Sequence, residues 1–114
     1  MAALTATVPT LLGTVVASGA VAASDTIAQT ELGSKGAVLL VINGNASPDN
    51  ITISDYGTTQ AGNSLPSNQI TDTITNATNQ AYLLLPSQVN PATGLITVTH
   101  SVTATVTYYL FRQQ

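Results

Sequence analysis

Residues 94 to 114, GLITVTHSVTATVTYYLFRQQ, alternate between apolar residues and threonine, and this alternation constrains the fold more than any other feature of the chain. Even positions from 96 to 110 read Ile, Val, His, Val, Ala, Val, Tyr, Leu. A period of two is that of a β-strand with one buried face. The stretch predicts one long strand or a hairpin. In a hairpin, an odd-numbered loop such as residues 101–103, or a bulge, keeps the apolar set on one face by pairing Val98 with Val106.

The single histidine, His100, interrupts the apolar set and raises the question of catalysis. In the predicted hairpin it lies near the tip, at the margin of the core face and away from carboxylates. A Ser-His-acid arrangement needs an acid that orients the histidine, and nothing near His100 supplies one. No G-x-S-x-G motif occurs. We therefore expect His100 to be a structural or interface residue, and we predict no catalytic residue.

Metal and cofactor sites are not expected either. The chain has no cysteine, and one histidine with five scattered acidic residues does not provide the ligand spacing of a zinc site. Asp49, Asn50 and Asp55 lie near loops and carry oxygen ligands suited to calcium, but the EF-hand spacing is absent and turn formation is the better interpretation. No glycine-rich phosphate loop follows a strand into a helix, so we predict no cofactor.

The sequence also predicts an extended backbone for the N-terminal part of the chain. Residues 2–8 alternate and are followed by Pro9, which indicates an edge strand or an arm. Residues 11–21 could form a strand or a short helix, and we assign them to a strand. The first 24 residues carry no charge, but they lack the basic start of a signal peptide and contain too many polar residues for a membrane span, so we expect neither.

About eight short strands separated by turn signals predict an all-β fold. The run at 36–43 has the continuous apolar character of a central buried strand, and residues 55–69 form the longest loop. We expect a small antiparallel β-sandwich, jelly-roll or barrel-like, with an extended N-terminal arm or edge strand over residues 1–22 and a single domain over residues 23–114. The other predicted strands are residues 23–31, 51–54, 69–77 and 81–86.

Charge is nearly absent from this sequence. Charged residues make up 6% of the chain, against about 25% in an average soluble domain. Threonine, which occurs 19 times, together with serine, asparagine and glutamine replaces them. Two basic residues, Lys35 and Arg112, are too few to neutralise a run of phosphates or to bind an anionic membrane, so we expect no nucleic-acid or membrane partner. A neutral surface suits permanent assembly, because burying it avoids the desolvation of ions.

Aromatic residues concentrate at the C-terminus, where both faces of the predicted strand become apolar. One interpretation is that one face closes the core and the N-terminal segment covers the other. The alternative is a subunit interface, in which tyrosine and phenylalanine are enriched. The residues predicted for a protein interface are Leu4, Val8, Leu11, Leu12, Tyr108, Tyr109 and Phe111.

The stretch from residue 82, YLLLPSQVNPATGLITVTHSVTATVTYYLFR, resembles small virion proteins of tailed bacteriophages, namely capsid decoration, cement or minor head proteins. In that family an apolar strand ends in a proline-containing turn, and a D/T-G turn leads into a Val-rich strand ending in Tyr-Ser or His-Ser. A Thr/Val strand ending in Leu-Arg follows. The matching positions here are Leu83 to Pro86, Thr93-Gly94, Ile96 to Ser101 and Val102 to Arg112. The strand at 37–43, followed by ITIS at 51–54, is similar to an earlier segment of the family.

The resemblance implies a β-sandwich that binds the outside of an icosahedral capsid as a homotrimer and stabilises it against internal pressure. The implied partners are the major capsid protein and other copies of the chain, and the implied location is the virion surface after assembly in the bacterial cytoplasm. A neck, tail or head-completion protein is the nearest alternative. A carbohydrate-binding or adhesin module is an alternative of another class. We expect no enzyme, because the chain has only eight Asp, Glu, Lys, Arg and His residues.

Overall fold

A computed structural model describes residues 2–8, 18–55, 68–90 and 92–112 of the chain. Two short helical segments accompany the strands: α1, Gln29–Leu32, and one 3₁₀ turn, Pro86–Gln88. The strands of the described residues are β1 Ala2–Ala3, β2 Gly19–Ala20, β3 Ser24–Ala28, β4 Ala37–Asn43, β5 Asp49–Asp55, β6 Asn68–Ile74, β7 Thr78–Leu84, β8 Leu95–His100 and β9 Val106–Arg112.

The strands form two sheets that pack face to face. One sheet has five strands in the order β1-β3-β8-β5-β6, and the other has four in the order β2-β9-β4-β7. Every strand pairing is antiparallel except that of β1 with β3. The predicted small all-β sandwich is confirmed, and the sheets do not close into a barrel.

Alternation along each strand builds the core between the sheets. In β4, Leu39 and Val41 are buried while Val38, Leu40 and Ile42 on the opposite face are only half-buried. The prediction that this strand is central is correct, since it lies between β9 and β7, but only one of its faces is in the core. Each fully buried aliphatic side chain contributes about 1.5–3 kcal/mol to folding, so this shared interior is the main source of stability.

Both interpretations of the C-terminal stretch, one long strand or a hairpin, are wrong, because its two strands belong to different sheets. β8 pairs with β3 and β5 in the five-stranded sheet, whereas β9 pairs with β4 and β2 in the other. The connection between them crosses from one sheet to the other, with Thr105 at a φ of 58°. The inward set was assigned correctly, because Val98 and Val106 are both buried. The alternation shows which side chains of a strand face the core. It does not show to which of the two facing sheets the strand belongs, because both sheets present an apolar face to the same core.

The N-terminal segment pairs with both sheets along one side of the sandwich. Ala2–Ala3 lies parallel to Asp25 and Thr26 in the five-stranded sheet. Thr7 is bonded to β9 of the other sheet, donating its N–H to the carbonyl of Leu110 at 2.7 Å and accepting from the N–H of Arg112 at 2.8 Å. The described part of residues 1–22 is therefore an edge element of both sheets, and β2 continues it beside β9.

The strand predicted over residues 23–31 is shorter in the structure. It ends at Ala28, and the next four residues turn once as α1 and place Leu32 in the core. Gly33, with a φ of 64°, ends this turn. Most of the loop predicted over residues 55–69 lies outside the described residues, as do seven of the eleven residues of the strand predicted over 11–21.

Candidate functional site

His100 lies beside a carboxylate, contrary to the prediction. Its Nδ1 is 2.7 Å from Oδ2 of Asp49, and the two side chains are 1% and 0% exposed. Asp49 begins β5 and His100 ends β8, and these two strands are neighbours in the five-stranded sheet. The prediction failed because the two residues are 51 positions apart in the chain and become neighbours only through the β5–β8 pairing.

Asp49 also binds the backbone of the connection that leaves the five-stranded sheet. Its Oδ1 accepts the N–H of Ser101 at 3.0 Å and that of Val102 at 3.4 Å. Asn50 adds two bonds there, donating its N–H to Ser101 Oγ and accepting the Ser101 N–H on its carbonyl. Because the pair is shielded from solvent and Asp49 binds three donors, this arrangement holds the point at which the chain crosses between sheets.

Two other carboxylates also serve internal contacts. Asp25 is fully buried and accepts the N–H of Ala22 on both oxygens, at 3.3 and 3.1 Å. Asp72 of β6 accepts the Tyr82 hydroxyl at 2.9 Å, which joins the two sheets at their common edge. Burial and this hydrogen bond, with the negative charges of Asp72 and Asp49, raise the pKa of Tyr82 well above its ordinary value.

Within the described ranges, no three His, Cys, Asp or Glu side chains are grouped in a way that could hold a metal ion. Asp49 and Asp55, which were considered for calcium, lie at opposite ends of β5. A strand rises about 3.4 Å per residue, so about 20 Å separates them. Among the same residues, no helix is long and apolar enough to cross a membrane.

The two outer faces of the sandwich carry no Asp, Glu, Lys, Arg or His among the described residues, because ionisable residues in the strands occupy inward positions. We call the outer side of the five-stranded sheet the hydroxyl face and the outer side of the four-stranded sheet the apolar face. The hydroxyl face carries Ser24, Thr26, Thr52, Ser54, Thr71, Thr73, Thr97 and Thr99, with Asn50 and Leu95 beside them. The apolar face carries Val38, Leu40, Ile42, Ala81, Leu83, Tyr109 and Phe111, and it ends in polar groups where Thr107 and Asn79 flank Ile42.

The residues predicted for an interface separate into four groups. Leu4 and Tyr108 point inward, Leu4 as a buried core residue at 4% exposure and Tyr108 packed against that core. Val8 is half-buried near the edge of the four-stranded sheet. Tyr109 and Phe111 point outward, and their rings stack with centroids 6.0 Å apart. Leu11 and Leu12 lie outside the described residues.

Sequence reasoning missed the part of the apolar face that β4 and β7 contribute. Val38, Leu40 and Ile42 belong to a run that was interpreted as buried on both faces. Leu83 is 55% exposed, and Leu85 just beyond β7 is 41% exposed. No local signal marked this face, because a continuous apolar run reads the same whether one or both of its faces are covered, and the edge position of β7 follows only from the sheet order.

A shallow, open depression marks the hydroxyl face between β5 and β6. Six residues line it, namely Asn50, Ile51, Thr52, Thr71, Asp72 and Thr73, of which Ile51 and Asp72 belong to the inward sets of their strands. A small-molecule site is usually concave and mostly apolar with a few convergent polar groups. This depression has polar groups, but it is open to solvent and does not enclose a ligand. It therefore does not indicate which molecule could bind there.

Comparison of this chain with protein-family models, with curated proteins and with solved structures found no match.

Proposed function

We propose that this chain is a non-enzymatic structural protein of a tailed-bacteriophage virion, which binds the outer surface of the capsid and stabilises it. Its proposed partners are the major capsid protein and other copies of itself. Its proposed location is the virion surface, after assembly in the bacterial cytoplasm. The resemblance of residues 82–112 to decoration and minor head proteins points to this role, and the chemistry of the sandwich surface supports it.

The observation that carries the proposal is that both outer faces lack ionisable side chains among the described residues. A charge buried in a contact must be desolvated at a cost of several kcal/mol unless it is well paired. Hydroxyl and apolar groups enter a contact at a much lower cost, and hydroxyls can bond to whatever polar groups the partner presents. This surface therefore suits a protein that spends its life in an assembly.

Repetition explains how such a surface could stabilise a capsid. Neutral contacts of modest size are weak one at a time. When many copies bind at symmetry-related positions on one particle, linked contacts multiply the overall affinity without any single strong site. The edge contacts of the N-terminal segment with both sheets help the sandwich to withstand load, because β1 and Thr7 tie one sheet to the other.

A reconstitution experiment tests the proposal. The purified chain is mixed with heads of candidate tailed phages stripped of their decoration proteins, and the particles are imaged and challenged by heat and osmotic shock. We expect density over the whole capsid surface and greater survival of the decorated heads. An unrelated uncharged β-sandwich of similar size is the control and should do neither.

The position of the density separates the alternatives. Density confined to one vertex or to the tail would assign the chain to a neck, tail or head-completion role and would contradict the decoration role. Heads that lack the protein and are as robust as decorated ones would also contradict it. Binding on a glycan array in the absence of head binding would favour the carbohydrate-binding alternative.

A further inference from the structure

We propose that the apolar face is a self-association surface, on which two copies of the chain pack face to face across a two-fold axis that runs along β4. This pairing needs no capsid, so it can be tested separately from the proposed function. It also differs from the trimer that the family resemblance implies. In a cyclic trimer each contact joins two different patches, whereas a two-fold contact joins one patch to itself.

The first support is electrostatic. The apolar face presents no Asp, Glu, Lys, Arg or His from β4, β7 or β9, so bringing two copies together opposes no like charges and desolvates no ion. A face without charge offers no electrostatic complementarity to a charged partner. It is best matched by a second neutral, apolar surface, and another copy of the chain supplies one at equal concentration.

The second support is the gradient of side-chain size in the central row of the face, which falls from β9 to β7. Leu40 of β4 lies between Tyr109 of β9 and Ala81 of β7, so the central row passes from a large ring through leucine to a methyl group. A two-fold axis along β4 places β9 of one copy over β7 of the other. Tyr109 then fills the space above Ala81, while Leu40 meets Leu40 on the axis.

The exposure pattern agrees with that arrangement. Leu83 is 55% exposed at the low side of the face, and it lies in the same row as Val38 and Phe111. Under the two-fold axis, the Phe111 ring of one copy covers Leu83 of the other. The most exposed large apolar side chain of the described residues is therefore buried by an aromatic ring of the other copy.

The area of the apolar face determines the expected affinity of the dimer. Three strands about 4.8 Å apart and seven residues long cover about 350 Å² of sheet per copy, against about 800 Å² of accessible surface per partner in a standard interface. A contact of this size belongs to the weak, transient class. We expect a dimer that forms and dissociates in the micromolar range, which an assembly with many linked copies would strengthen.

Sedimentation velocity of the purified chain, measured from low micromolar to millimolar concentration, gives the oligomeric state. The wild-type chain should pass from monomer to dimer. Leu40→Lys and Leu40→Glu should each raise the dissociation constant at least about tenfold, because two like charges would meet on the axis. An equimolar mixture of the two variants should recover association, since opposite charges then meet. Thr52→Lys, on the hydroxyl face, is the matched control and should dimerise like the wild type.

The outcomes decide the proposal. A wild-type monomer throughout the range would overturn it and would mean that something else covers the apolar face, and a trimer would overturn the two-fold arrangement. If the mixture of Leu40→Lys and Leu40→Glu fails to associate, the two-fold arrangement is also refuted. If a charge at position 40 prevents folding, as circular dichroism would show, Leu83→Lys replaces it, because that side chain is already largely in solvent. It should raise the dissociation constant while the monomer stays folded, and an unchanged dimer would refute the proposal.

Discussion

Removal of the Asp49 carboxylate should be among the most destabilising changes outside the hydrophobic core. The side chain is fully buried, and it accepts from His100, from the Ser101 N–H and from the Val102 N–H. Asp49→Ala would leave the buried His100 ring and the part-buried Val102 N–H without this acceptor, whereas the Ser101 N–H keeps the Asn50 carbonyl. Each buried donor left without an acceptor costs about 1–3 kcal/mol, and the cavity left by the shorter side chain adds to that cost.

The loss is large compared with the stability of a domain of this size. Small domains unfold with about 5–15 kcal/mol, so we expect Asp49→Ala to remove about 3–5 kcal/mol, a fifth of the total or more. Asp49→Asn keeps an oxygen for the backbone donors and should lose only about 1–2 kcal/mol. Thr52→Ala, in the same strand but facing outward, is the control and should stay within about 0.5 kcal/mol of the wild type.

Urea unfolding followed by circular dichroism measures these differences. The order Asp49→Ala, Asp49→Asn, Thr52→Ala, from most to least destabilised, is the expected result. A double-mutant cycle with His100→Ala isolates the pair and should give a coupling free energy of about 1 kcal/mol or more. If Asp49→Ala costs less than about 1 kcal/mol, or if the two substitutions simply add, the reasoning about this cluster is refuted.

Two further substitutions test other details of the structure. The raised pKa of Tyr82 means that the folded state holds the phenol proton more tightly than the unfolded state, so this stabilisation is fully present below about pH 10 and is lost as the pH rises further. The difference in free energy of unfolding between wild type and Tyr82→Phe, which leaves Asp72 without its donor, should therefore shrink as the pH rises above about 10; a constant difference would contradict this. Gly36→Ala should destabilise strongly, because its φ is 90° and a Cβ would lie 2.3 Å from the carbonyl oxygen of Leu84. Gly94→Ala is the matched control, because Gly94 has a φ of 72° but a Cβ added there would meet no atom within 4 Å. It should cost about 1 kcal/mol from backbone strain alone. Thermal melts of both variants check the order.

Much of the fold could be predicted because alternation is a local property. The inward residues of β4, β8 and β9 follow from a period of two, and Val98 and Val106 are buried as expected. The neutral surface could also be predicted, because composition alone leaves too few charges to cover a sandwich. What could not be predicted was the set of partners for each strand, and the hairpin proposed for the C-terminal stretch failed for that reason.

The residues predicted for an interface could also be predicted only in part. Tyr109 and Phe111 were predicted as interface residues from their apolar character, and they do point outward. Leu4 and Tyr108 have the same character but point into the sandwich, because the N-terminal segment and the inward side of β9 close its edge. The contribution of Leu83 appears only when β7 is seen at the end of its sheet.

The sequence by itself determined the fold class, the inward face of most strands and the scarcity of charged residues. Tertiary structure alone decided that β8 and β9 belong to different sheets, that Asp49 meets His100, and that one outer face is apolar while the other carries hydroxyls. The physical reason is that side-chain periodicity arises from the backbone of a single strand. Strand order instead depends on closing long loops and on packing two whole sheets against each other, which no local pattern records.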